Sequence, residues 1–245
     1  GAVQADGADI RVTESDGQTE VPFELVSIDT GAETGELHFK APTLSLSTTT
    51  EFYIYYGSST ASAYPAGATY GSDNVWTNGF RAVYHFEEDQ AGTGASAVYR
   101  DSTGNGYDGD DEVSASGKSG IVGAGQSFAA STNDYIELPH TTIDGLRDIT
   151  VEVWFRSNDD SNLHTLLSAA NSGEANEHTI WVRGDINNVE LFSHGTSYRE
   201  EFWISDVFDN VWRHYTIIKD DLNNDALFFL NGVEDNDSPN GDTRS

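Results

Sequence analysis

Apolar residues recur at every second position along most of this chain, and helical spacing is almost absent. Val21, Phe23 and Leu25 fall on one face of a strand predicted over residues 21–28. Leu37 and Phe39 alternate with polar neighbours over 36–40, and Phe52 to Tyr56 form a β-rich run stopped by Gly57. Residues 58–79 lose the pattern and read as a linker or a long irregular loop. Strands are predicted again over 80–86, 135–138, 149–155, 165–168, 179–183, 189–192, 202–204, 212–218 and 226–230. Gly, Asp, Ser and Thr clusters separate these runs, as turns require. Asn231-Gly232 is the dipeptide favoured in a two-residue type I′ hairpin. Many short strands split by turns predict an all-β sandwich or jelly roll.

Composition narrows the partners. The 245 residues carry 41 acidic and 12 basic side chains, a formal charge of −29. Such a surface repels nucleic acid and anionic lipid, so neither is an expected partner. Three lysines against nine arginines, on so acidic a chain, suggest a saline or halophilic setting; an ordinary acidic secreted protein is the plainer reading. Low hydropathy with high charge can mean disorder. Here twelve Phe, eleven Tyr and five Trp in alternating patterns supply core material. There is no Cys, so no disulfide forms, and no run approaches the about 18 apolar residues of a membrane-spanning helix.

The ordered motifs of the second block resemble the laminin-G-like branch of the concanavalin A-like lectin/glucanase superfamily. Val83-Tyr84-His85-Phe86-Glu87-Glu88 resembles its opening strand, and Asp101-Ser102-Thr103-Gly104-Asn105-Gly106-Tyr107-Asp108-Gly109 its Asp-Ser-x-Gly-Asn-Gly loop. Gly123 to Phe128 with Asn133 to Leu138 resemble the next strand pair, and Ile149 to Phe155 a central strand bearing a buried Trp. Trp212 to Tyr215 and Phe229 to Val233 resemble the late hairpin. Residues 1–79 resemble a small β domain of unknown function common in secreted proteins, on Asp6 to Val12 and Phe52 to Gly57. The expected organisation is therefore a small β-sandwich-like domain over 1–79 and a concanavalin A-like jelly roll over 80–245. Both families usually have strands beyond the two ends of this chain, so a fragment, or sheets completed by a partner, is expected.

Asp101, Thr103, Asn105 and Asp108 place hard oxygens in a glycine-rich loop, as calcium requires. Asp101, Thr103, Asn105, Gly106 and Glu112 also fall in an EF-hand register, but the flanking residues are not helix formers. The resemblance implies instead a structural Ca2+ site at the sandwich edge, with Asp101, Asn105, Asp108 and Glu87 as ligands. The other reading is an Asx-turn loop with solvated acids. A glucanase would need paired carboxylates on one strand face. Glu152 stands alone among apolar residues, and adjacent Glu200 and Glu201 would point oppositely, so no enzyme is expected. The seven His form no His-x-x-x-His pair, leaving zinc without local support. Trp181, Tyr198, Trp203 and Trp212 are candidate sugar platforms, with core packing the alternative; Tyr198 and Arg199, read as loop residues, are the expected ligand contacts. The resulting expectation is an extracellular or surface recognition module, binding a glycan or a surface protein. The alternative is a structural subunit of a viral appendage or cell-surface filament, completed by neighbouring chains.

Overall fold

A computed structural model of the protein describes residues 1–88, 93–114, 118–159, 163–169, 178–183, 188–193, 198–203, 208–220 and 225–234. The backbone divides into two compact units, Gly1–Thr142 and Ile143–Ser245. Among the described residues no helix is long and apolar enough to cross a membrane.

The first unit is built from small antiparallel pairs. β1 (Arg11–Glu14) awaits β4 (Phe52–Tyr55) across the intervening hairpin of β2 (Phe23–Asp29) and β3 (Thr34–Phe39). β5 (Asp110–Glu112) pairs with β8 (Tyr135–Glu137), and β6 (Lys118–Ser119) with β7 (Ala124–Gly125). Ile10, Val12, Val21, Val75, Tyr99 and Val113 are buried; Val12 is the inward residue of β1, and the others flank the strands or lie in the connecting segments. Glu24 faces His38, and a bulge between Leu25 and Ser27 then shifts the β2–β3 register so that Ser27 faces Glu36.

Two sequence expectations change here. The strand predicted over 80–86 does not join a ladder. Phe86 has φ +59°, which interrupts an extended run. Val83 bonds the Asp101 loop instead: its N–H donates to Asp101 Oδ1 at 3.1 Å, and its carbonyl accepts from Ser102 N at 2.8 Å. The segment 58–79 is irregular but packed. A 3-10 turn over Ser72–Asn74 buries Val75, and Trp76 Nε1 donates to Glu24 Oε2 at 2.6 Å. Residues 80–142 pack within the same compact unit as 1–79, and the second unit begins at Ile143.

The second unit is a β-sandwich. One antiparallel sheet has the order β10–β11–β12–β13, from Leu163–Ala169, His178–Arg183, Asn188–Ser193 and Tyr198–Trp203. The other runs β16–β15–β14–β9, from Val233–Glu234, Asp225–Leu230, Arg213–Asp220 and Ile149–Phe155. Ile180, Val182, Val189 and Leu191 of the first sheet meet Tyr215, Ile217, Ala226 and Phe228 of the second in one core. A bulge between Thr165 and Leu167 lets the adjacent Leu166 and Leu167 both pack on it. The Asn231-Gly232 turn forms as expected, with positive φ at both residues and Leu230 opposite Val233.

Tyr215 is fully buried, and its hydroxyl oxygen has no hydrogen-bond partner among the described residues. Burial pushes its pKa up to about 12. Leaving a buried hydroxyl unsatisfied costs about 1–3 kcal/mol. Tyr215→Phe is therefore expected to raise the unfolding free energy by about 1 kcal/mol, read as a higher urea midpoint at unchanged slope.

Candidate functional site

Three places in the structure gather chemistry-bearing residues. The first is the Asp101 loop. Asp101, Ser102 and Thr103 are all buried. Asp101 Oδ1 accepts from Val83 N and from Thr103 N at 2.9 Å; Oδ2 accepts from Thr103 Oγ1 at 2.8 Å and Tyr107 N at 3.0 Å. A carboxylate offers about four lone-pair positions, and the chain itself fills them. Asn105 Nδ2 donates to the carbonyls of Phe80 and Arg81, Asp108 Oδ1 accepts from Asp101 N, and Glu87 Oε1 accepts from Ala124 N. A cavity of about 560 Å³ beside the loop is lined by Asp101 and Asp108 with Asp73, Glu88 and Thr103, but not by Asn105 or Glu87. The chain's own donors thus hold Asp101 in an Asx-turn arrangement, and Asn105 and Glu87 lie outside the lining that Asp101 and Asp108 share. Glu88 also lines that cavity, and its Oε2 is buried without a hydrogen-bond partner among the described residues.

The second place is the outer face of β9–β14–β15. Strand alternation sends Val151, Val153 and Phe155 into the core, which leaves Thr150, Glu152 and Trp154 on the opposite face. Trp154 is 45% exposed. The Trp expected to be buried on a central strand is therefore an outward residue, on a strand that lies at the sheet's edge among the described residues. Trp154 pairs across the ladder with His214, ring centroids 5.2 Å apart, and His214 Nε2 lies 3.9 Å from Glu152 Oε2. Leu227 is exposed on the neighbouring strand. Together they present an aromatic ring flanked by polar groups. Its signal was already in the alternation of Val153, Trp154 and Phe155. Of the aromatics singled out from sequence, Trp181 lies on β11 and Trp212 stacks under the Arg156 guanidinium at 4.7 Å. Tyr198 and Arg199 open β13, opposite Ser193 and Phe192, so they are strand residues and not loop residues. Their side chains, and that of Trp203, lie outside the described residues.

The third place escaped the sequence reading. Glu36 and His38 sit two apart on β3 and share a face, and His85 arrives from residues 81–88. His38 Nε2 lies 2.7 Å from Glu36 Oε1, and His85 Nδ1 lies 3.4 Å from the same oxygen. His85 Nε2 lies 3.2 Å from Glu24 Oε2, and the two imidazoles stack at 4.5 Å. Burial raises the Glu24 pKa, but hydrogen bonds from His85, Ser102 and Trp76 outweigh it and hold the group below its usual value. A Glu-x-His pair on a strand was the available signal; the partner His85 was not.

Comparison with known proteins supports the two-part organisation. Residues 130–245 match the family model of the concanavalin A-like lectin/glucanases superfamily. Residues 6–97 match a domain of unknown function, DUF2341. No curated protein and no solved structure matches the chain. This all-β chain is thus similar to the concanavalin A-like lectin/glucanases superfamily, whose fold is a jelly roll, over residues 130–245 and to a domain of unknown function over residues 6–97.

Proposed function

We propose that this protein is an extracellular, non-catalytic recognition module that binds a glycan or a glycan-bearing surface protein. The observation that carries this reading is the exposed Trp154 beside His214 and Glu152 on a lectin-like sandwich. An indole face stacks on a pyranose ring, and flanking imidazole and carboxylate groups bond its hydroxyls. Along that strand face Glu152 alternates with Thr150 and Trp154, so it has no carboxylate neighbour at the spacing a glycosidase uses. Calcium at the loop is supported by the Asp73, Glu88, Asp101 and Asp108 carboxylates that line its cavity, and opposed by Arg100 in the same lining and by the full hydrogen bonding of Asp101.

The test is a glycan array followed by titration of the best hit. Wild type is expected to bind with a change in tryptophan fluorescence. Trp154→Ala is expected to lose at least about tenfold in affinity, about 1.4 kcal/mol, with an unchanged melting temperature because the ring is outside the core. An array without hits would overturn the glycan reading. A second reading, a structural subunit completed by neighbouring chains, draws on β9, an edge strand of seven residues among those described. Concentration-dependent association in light scattering, joined to a silent array, would favour it.

A further inference from the structure

We infer that Glu36, His38 and His85 form a binding site for a transition-metal dication of the zinc class, oriented by Glu24 and Trp76. The candidate ligand atoms all lie within 4.8 Å of one another. An ion held by bonds of about 2.0–2.2 Å separates its ligands by up to about twice that length, so one dication fits with small side-chain adjustments. Two imidazoles and a carboxylate suit zinc, nickel or cobalt, whereas calcium and magnesium take oxygen donors.

Three observations beyond the cluster itself point to a ligand. Glu36 is only 6% exposed, yet its Oε2 has no hydrogen-bond partner among the described residues. A buried carboxylate oxygen left without a donor is costly, and a cation would satisfy it. Next, His85 is held at both nitrogens: Nδ1 faces Glu36 while Nε2 faces Glu24, and Glu24 is itself pinned by the Trp76 indole N–H. This is the carboxylate–histidine arrangement that fixes the tautomer and direction of a metal-ligating imidazole. Lastly, Gly123 approaches the cluster with φ +56°, and a Cβ there would overlap Glu36 Oε2 and Glu87 Oε1. Only glycine therefore lets the backbone come this close to the point where the Glu36 and Glu87 carboxylate oxygens lie. Glu24 and Glu36 are both more than nine-tenths buried, and a dication would offset both charges. The ion would clamp residues 81–88 onto the β2–β3 hairpin.

The probe is zinc alone, titrated calorimetrically into the whole chain with excess magnesium to mask the acidic surface. Wild type is expected to bind one zinc per chain, and cobalt is expected to give the intense visible absorption of a four-coordinate site. His85→Gln should weaken zinc at least tenfold. Glu24→Gln, which leaves the three ligands in place, should weaken it about 10–100-fold. No zinc binding by wild type, or unchanged affinity in the His38→Gln/His85→Gln double variant, would overturn the site. Should the variants unfold, wild type still decides: a weak octahedral cobalt spectrum, or displacement by magnesium, also overturns it.

Discussion

Phe228→Ala is expected to lower the unfolding free energy of the sandwich by about 3–5 kcal/mol, the usual cost of emptying a phenylalanine site in a core. Phe228 is fully buried on β15, and its ring lies 5.8 Å from that of Tyr215 on β14. Both belong to the cluster that joins the two four-stranded sheets. The deleted ring leaves a cavity that neighbours from two sheets cannot close without moving whole strands, so little of the loss is recovered. Leu227→Ala is the internal control. Leu227 is adjacent in sequence but 38% exposed on the other face, and its replacement should stay within about 0.5 kcal/mol. Denaturant unfolding followed by tryptophan fluorescence reads both. Equal effects at the two positions would mean that the β15 register is wrong, because a one-residue slip exchanges the faces.

Asp101→Ala is expected to cost about 3–5 kcal/mol in the first unit. The substitution strands the N–H groups of Val83, Thr103 and Tyr107 and the Thr103 hydroxyl, which now donate to one carboxylate. Hydrogen bonds to a charged group contribute about 1.5–3 kcal/mol each, and those sharing one acceptor do not add fully. Asp101→Asn should lose less, since the amide keeps one acceptor oxygen but turns an NH2 toward donors. Thermal melts at constant ionic strength, in calcium, in magnesium and in chelator, separate two roles for this residue. A self-braced loop gives the same loss in all three. A loss much larger in calcium would restore Asp101 as a ligand and displace the Asx-turn reading.

Much of the sandwich was legible one strand at a time. Val151, Val153 and Phe155 alternate with Glu152 and Trp154, and the strand Ile149–Phe155 emerges with that pattern intact. The structure places Trp154 outward, in step with that alternation and against the buried Trp that the resemblance implied. The strand over 80–86 failed for the opposite reason. Its residues favour β structure, but its backbone polar groups find the Asp101 loop and not a neighbouring strand. Propensity describes one residue on a half-buried surface, and the partner decides whether a ladder forms.

What the sequence by itself determined is what acts between near neighbours: the all-β class, the alternation along Ile149–Phe155 and the Asn231-Gly232 turn. These follow from side-chain period and local backbone sterics. What only the tertiary structure decided is which distant residues meet: His85 with Glu36 and His38, Asp101 with Val83, and the packing of residues 80–142 with the first unit. No short-range pattern encodes those meetings. They depend on which apolar faces are buried together, and the polar groups carried beside those faces become neighbours as a consequence.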